Sequence, residues 1–208
     1  RHVAGGIDPY TIREAIAKRS DTRKQYGIGP SDYLCVSCAR FVPYKRTDFL
    51  IRSLAKCNAT VTLLLAGDGP LEAEMKELAN SQPYSIRFLG NLAQKDAVAL
   101  IAAADVYAQA STDLEKAVPG GSYIHTEGMG RSLLESICSG VPVVVTNCGA
   151  VSEYIGAENG ALVNTEEEMA VAVDTLLNKK QLLIQNTEKY ITMYSFDRIF
   201  EEYILLWN

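Results

Sequence analysis

The chain has 208 residues, 48% of them hydrophobic and 22% charged, with a formal net charge of −5. That is ample material for one sizeable core. Its acidic balance and lack of basic blocks argue against a general nucleic-acid binder, and no apolar run reaches the roughly 18 residues of a membrane span.

Five cysteines, an odd number, suit reduced thiols in a cytoplasmic-type compartment better than a disulfide framework. The opening RHVAGG carries neither an initiator methionine nor a signal peptide, so a piece of a longer chain is expected. The first apolar run, Tyr33–Val42, predicts a strand. It contains CVSC, but strand residues three apart face opposite sides, and no second pair or neighbouring histidine completes a zinc site. Core packing is the reading for Cys35 and Cys38. A polar turn at Pro43–Arg46 follows, and Asp48–Lys56 has helical spacing with Phe49, Leu50, Ser53 and Leu54 on one side. Ala59–Ala66 is β-branched and apolar and stops at GDGP. The next segment, PLEAEMKELAN, fits a helix with Pro70 in its first turn.

Ser85–Leu89 predicts a short strand, Lys95–Ala103 a helix and Asp105–Ala110 a further strand. The polar stretch after it, STDLEKAVPGGSYIHT, reads as a long loop in which Pro119, Gly120 and Gly121 break any regular element. Loops of such length are commonly functional or mobile, and a flap is expected over Thr112–Thr126. A helix over Arg131–Ser139 leads into the strand Val141–Thr146, and Ala161–Val163 makes a brief last strand. Glu166–Leu177 and Lys180–Tyr190 read as helices, and Phe196, Ile199, Phe200, Tyr203, Ile204 and Trp207 form an apolar stripe that ends the chain. Continuous apolar strands alternating with amphipathic helices indicate a doubly wound, Rossmann-like parallel α/β sheet with helices on both faces. Such sheets bind ligands at the carboxyl ends of their strands. One domain spanning residues 1–208 is expected, with residues 1–30 as a lead-in segment.

The motif EGMGRSLLE sets Glu127 and Glu135 eight residues apart around a glycine–x–glycine. Across a helix that spacing gives ~12 Å of rise and about 80° of rotation. Two carboxylates flanking one glycosidic bond need roughly 5 to 9.5 Å, so hydrolase pairing is disfavoured. Two readings stay open. Ser132-x-x-Glu135 is a capping box. Alternatively, Gly128 and Gly130 allow unusual backbone angles and close ligand approach, and the helix starting near Arg131 or Ser132 offers free amides to a phosphate. Arg40 and Lys45, at the carboxyl edge after the first strand, would complete a diphosphate clamp. GDGP lacks the third glycine of a dinucleotide fingerprint, since Glu72 stands there, and there is no P-loop. His125, two residues before Glu127, is a candidate donor-site contact, though a lone loop histidine more often faces solvent, and Asp68 and Asp113 have no metal-like partners by spacing.

Taken in order, ARFVPYKR, LAGDGP, FLGNL and EGMGRSLLESICSGVPVV resemble the second, C-terminal domain of retaining glycosyltransferases of family four, one half of a GT-B fold. GGID is similar to that family's approach to its nucleotide-binding domain. The resemblance implies a nucleotide-diphosphate sugar as donor, a hexose-type transfer, and no metal or other cofactor. It implies that Arg40 and Lys45 hold the diphosphate and that Glu127 contacts sugar hydroxyls. The amides of Gly128, Met129, Gly130, Arg131, Ser132 and Leu133 would hold sugar and phosphate. Glu135 would accept from the ribose, and Asn91 and Leu92 would border the base. Glu127, Arg40 and Lys45 are the implied catalytic set. The acceptor (a sugar, a lipid or another hydroxyl compound) would bind mainly to a preceding domain, onto which the terminal helix, 191–208, would cross back. The whole enzyme would then be cytoplasmic, with contact to a membrane surface open. The alternative is a non-catalytic nucleotide-binding module of the same fold. Three departures stand out: Gly5 where the family commonly has Asn, Arg46 where Gly commonly follows the lysine, and the long segment between Ser111 and Glu127.

Overall fold

The computed structural model describes residues 5–119, 121–177 and 187–207. Two helices open it, α1 (Pro9–Ala17) and α2 (Arg19–Gln25). Asp8 caps α1 by accepting from the backbone N–H of Tyr10 and Thr11 at 3.1 and 3.3 Å, with Pro9 in the first turn. Then come β1 (Tyr33–Cys38), α3 (Thr47–Leu54), β2 (Val61–Ala66), α4 (Glu72–Asn80), β3 (Ile86–Gly90), α5 (Gln94–Ala103) and β4 (Val106–Gln109). An antiparallel pair, β5 (Leu114–Val118) and β6 (Gly121–His125), stands apart from the main sheet. The chain continues through α6 (Arg131–Cys138), β7 (Val143–Thr146), β8 (Gly160–Val163), α7 (Glu166–Leu177), α8 (Thr187–Tyr194) and α9 (Phe196–Trp207).

Six strands form one parallel sheet in the order β3-β2-β1-β4-β7-β8. Alternate residues of one strand supply opposite cores, as the strand period requires. Leu34, Val36 and Leu64 pack under α1, α5 and α6, while Cys35, Leu63 and Leu65 pack with α3 and α7. The predicted doubly wound fold is the observed one. Cys35 and Cys38 do belong to different layers, Cys35 in one core and Cys38 against the other, and both are free thiols.

Strands are shorter than the apolar runs that signalled them. After Cys38 the chain leaves the sheet and packs on the GDGP loop, where Phe41 N–H donates to the Asp68 carbonyl at 2.7 Å. A β-carbon at Gly67 would overlap the Ala39 carbonyl, and one at Gly69 would lie 2.5 Å from that of Phe41. Both glycines therefore serve backbone-to-backbone packing. Pro70 lies before α4, which starts at Glu72, and not within its first turn.

The polar segment after β4 corrects the expectation of a loop without regular structure. Its strands pair Leu114 with His125 and Lys116 with Tyr123, so Pro119 and Gly121 fall at the hairpin's turn end. Part of the predicted helix Lys180–Tyr190 lies outside the described residues; α8 covers its end. The lead-in segment is tied to the last two helices. Ile7 N–H donates to the Tyr194 carbonyl at 2.8 Å, and Phe196 N–H donates to that of Ile7 at 3.0 Å. Among the described residues no helix is long and apolar enough to cross a membrane.

Candidate functional site

The strand order reverses direction between the neighbours β1 and β4, so the connections after them leave to opposite faces of the sheet and open a crevice at their carboxyl ends, the usual ligand position in such sheets. The loop after β1 brings Arg40 and Lys45 to this edge, the end of β4 brings Gln109 and Ser111, and α6 begins beside them. Lys45 is ion-paired with Glu127, their side chains 13% and 8% exposed. Gln109 Nε2 and Ser111 Oγ donate to the same carboxylate oxygen, Oε2, at 2.8 and 2.7 Å. Arg40 is exposed and lines a cleft with Gly67, Asp68, Asn91 and Leu92. Predicted diphosphate and base contacts thus share one cleft, while Lys45 sits with the predicted sugar contact.

The turn before α6 is shaped for backbone donation. Gly130 is the helix N-cap with φ 59°, a conformation that favours glycine. Gly128 does not share that angle; a β-carbon there would meet open space. The carbonyls of Gly128 and Met129 both accept from the Tyr154 hydroxyl, the first at 3.2 Å. Because each peptide is planar and trans, the N–H groups of Met129 and Gly130 then point away from Tyr154. Leu133 departs from its predicted role. Its side chain is buried in the core and its N–H donates to the Gly130 carbonyl at 3.0 Å, so it has no group left to offer.

The capping-box reading of Glu135 fails on geometry. No side chain caps α6. Ser132 Oγ lies 2.7 Å from the Tyr107 hydroxyl, and Glu135 Oε1 accepts from Gln94 Nε2. Glu135 lines a hollow with Gln94, Arg131, Asp8 and Phe196. Burial pushes its carboxyl up to about 7, opposed by the nearby Arg131 charge and the Gln94 hydrogen bond.

Two further observations correct or extend the sequence reading. His125 is half-buried against Tyr44, ring centroids 4.0 Å apart, at the end of β6 and not in a loop. Arg46, where the family commonly has Gly, is the one described non-glycine residue with positive φ, 43°, and its guanidinium lies 5.4 Å from the Phe49 ring. Sequence reasoning missed Gln94, Tyr107, Gln109, Ser111 and Gly149. Tyr107, Gln109 and Ser111 did leave a signal, polar residues at period two along a buried strand. Gly149 left none locally: at φ 54° its backbone lies against the Glu127 carbonyl, which a β-carbon would overlap. Among the described residues no group of three or more His, Cys, Asp or Glu side chains is placed to hold a metal ion.

Solved structures share this fold. One is Anabaena HepE in complex with UDP and glucose, with a TM-score of 0.79, 24% identity and coverage of 99% of this chain and 56% of that one. Another is WaaG, a glycosyltransferase involved in lipopolysaccharide biosynthesis, at a TM-score of 0.72, 20% identity and coverage of 93% and 51%. The architecture is therefore a Rossmann-like domain of the GT-B glycosyltransferase type. The family described as "Glycosyl transferases group 1" matches residues 18–193, and the chain belongs to it. Among curated relatives, a GDP-mannose-dependent phosphatidylinositol dimannoside mannosyltransferase of Mycobacterium tuberculosis is 35% identical over 181 residues, covering 85% of this chain and 43% of that protein. A GDP-mannose-dependent monoacylated phosphatidylinositol monomannoside mannosyltransferase of Corynebacterium glutamicum is 30% identical over 166 residues, covering 78% and 42%. The chain spans less than half the length of these relatives.

Proposed function

We propose that the chain is the donor-binding, C-terminal half of a retaining hexosyltransferase of glycosyltransferase family four, and that it binds a nucleotide-diphosphate sugar without a metal. One observation carries the reading: Lys45, Glu127 and the amides at the start of α6 converge beside the cleft of Arg40, Asn91 and Leu92. That arrangement suits a ligand with a hexose at one end, two phosphates in the middle and a nucleoside at the other. Cationic side chains and helix-start amides favour the diphosphate, most strongly as it leaves with its charge increased. Glu127 offers Oε1 to sugar hydroxyls, and Glu135 accepts from the ribose. On a face-retaining path the leaving phosphate helps to deprotonate the acceptor hydroxyl.

The relatives are more than twice as long as the matched span, which leaves room for a second domain; on this reading it precedes the chain and binds most of the acceptor. Their names point to a mannosyl donor and a lipid-linked acceptor, hence to work at the cytoplasmic membrane surface; UDP in the HepE structure keeps uridine donors in the panel. The test is calorimetric titration of the chain with GDP-mannose, UDP-glucose and their diphosphates, followed by transfer assays on the full-length parent. Failure to bind any of them would overturn the reading. Binding without transfer by the parent would favour a non-catalytic module.

A further inference from the structure

Glu127 has two carboxylate oxygens, and the fold treats them differently. Oε2 accepts from Lys45 Nζ, from Gln109 Nε2 at 2.8 Å and from Ser111 Oγ at 2.7 Å. Oε1 has no protein partner among the described residues and lies on the Gly130 side, 3.4 Å from where a β-carbon would sit.

The two side chains that donate to Oε2 have their hydrogens fixed by what they face. An ionised carboxylate only accepts, so Ser111 donates its hydroxyl proton and Gln109 turns its NH2 toward Glu127. The second Nε2 hydrogen goes to Ser111 Oγ at 2.9 Å. Gln109 Oε1, an acceptor only, lies 3.2 Å from the Tyr107 hydroxyl, which is 2.7 Å from Ser132 Oγ, and both hydroxyls also have the Cys38 carbonyl in reach at 3.3 Å. The donations to Oε2 are thus fixed by Gln109 and Ser111, and the Tyr107 hydroxyl backs the amide oxygen of Gln109 from the other side. Gln109 and Ser111 are 3% and 2% exposed, so water offers neither an alternative partner. Turning the amide over would set its oxygen against the carboxylate.

We propose that Gln109 and Ser111 are positioning residues for the donor sugar. They fix Glu127 in the orientation that presents Oε1 to a sugar hydroxyl, and they do so without touching the ligand. Loss of either frees the carboxylate to rotate or to share both oxygens with Lys45. The inference rests on the nucleotide-sugar reading of the cleft and deepens it.

The experiment compares the wild-type chain with Ser111→Ala and Gln109→Met by calorimetric titration against GDP-mannose and GDP, and against UDP-glucose and UDP. Wild-type binding to none of the four would overturn the nucleotide-sugar reading and this inference together. Given binding, each variant should lose about tenfold in affinity for the sugar nucleotide, the effect of one hydrogen bond to a charged group. Affinity for the matching diphosphate should stay within about twofold. An equal loss for both ligands, or no loss for either, would overturn the positioning role and leave the nucleotide reading standing. Ser111→Ala removes a single hydroxyl, so the comparison survives if Gln109→Met does not fold.

Discussion

Glu135 should make the stability of this domain fall as pH rises through the weakly acidic range. Its carboxyl is buried beside Gln94 at the hollow near α6, and burial outweighs Arg131 in setting its pKa, raised from 4.5 to about 7. The unfolded chain releases the proton near 4.5, while the folded chain keeps it to about 7. Between those values the folded state binds more protons, so stability declines with rising pH and the decline ends near 7. At about 1.4 kcal/mol per unit, that window is worth up to ~3 kcal/mol. Arg131 is exposed and solvent screens its charge, so it offsets little of the cost. The perturbation is Glu135→Gln, which keeps the shape and the contact with Gln94 but cannot ionise. Denaturant unfolding of both proteins from pH 4 to 8 isolates this group, because all others cancel in the difference. The variant should gain on the wild type by up to about 3 kcal/mol as pH rises, and the gain should flatten above about 7. Nucleotide affinity should move the other way: the wild type should bind better as pH rises and ribose hydroxyls meet an ionised acceptor, while the variant binds weakly throughout. A stability difference that stays constant with pH would refute the assigned environment of Glu135.

Lys45→Ala should cost about 3 kcal/mol of stability, the low end for breaking a buried pair, because Gln109 and Ser111 still donate to Glu127. The same variant should bind a nucleoside diphosphate roughly ten- to a hundredfold more weakly by calorimetry and leave binding of the bare nucleoside unchanged; equal losses would refute the phosphate role. Gly149→Ala should cost at least about 1 to 2 kcal/mol from its backbone conformation alone, and more from displacing the Glu127 carbonyl. Thermal unfolding unchanged within error would refute that contact. Finally, the chain alone should bind donor but transfer no sugar, whereas the full-length parent should transfer it; comparable turnover by the chain would refute the division between donor and acceptor domains.

The sheet was legible because its strands are covered on both faces and so read as unbroken apolar runs. Strand ends were less so, since nothing local says that Ala39–Val42 leaves the sheet to meet the GDGP loop. The opening helices carried a signal, Asp8 followed by Pro9, that went unread. The β5–β6 hairpin was hidden because Pro119 and Gly121 mark a turn as readily as they break a strand. Within the site, the glutamate spacing and the two cations were visible as motif. Ser132 and Glu135 looked like mutual partners along one helix, yet tertiary neighbours, Tyr107 and Gln94, claimed both. Gly149 could not have been found, because a close approach between distant backbones has no pattern in either stretch.

The two ends of the site are built from different materials, and that separates what can vary from what cannot. On the proposed reading the phosphate end takes the cations Arg40 and Lys45 together with backbone groups, and that backbone is shaped by glycines: Gly67 against Ala39, Gly69 against Phe41, Gly130 at the start of α6. Side-chain changes around such donors leave them in place. At the sugar end everything converges on one carboxylate oxygen through side chains, and these are reachable from the hairpin. Thr112 N–H donates to the Tyr44 carbonyl at 2.7 Å, His125 packs on the Tyr44 ring, and Lys45 Nζ lies 5.2 Å from that ring. A change in the hairpin therefore reaches Lys45, and through it Glu127, without passing through Arg40, Asn91 or Leu92. On the proposed reading, the segment where this chain departs most from its family's length acts on the sugar contact Glu127 and on the diphosphate through Lys45, and leaves the base end of the cleft at Asn91 and Leu92 untouched.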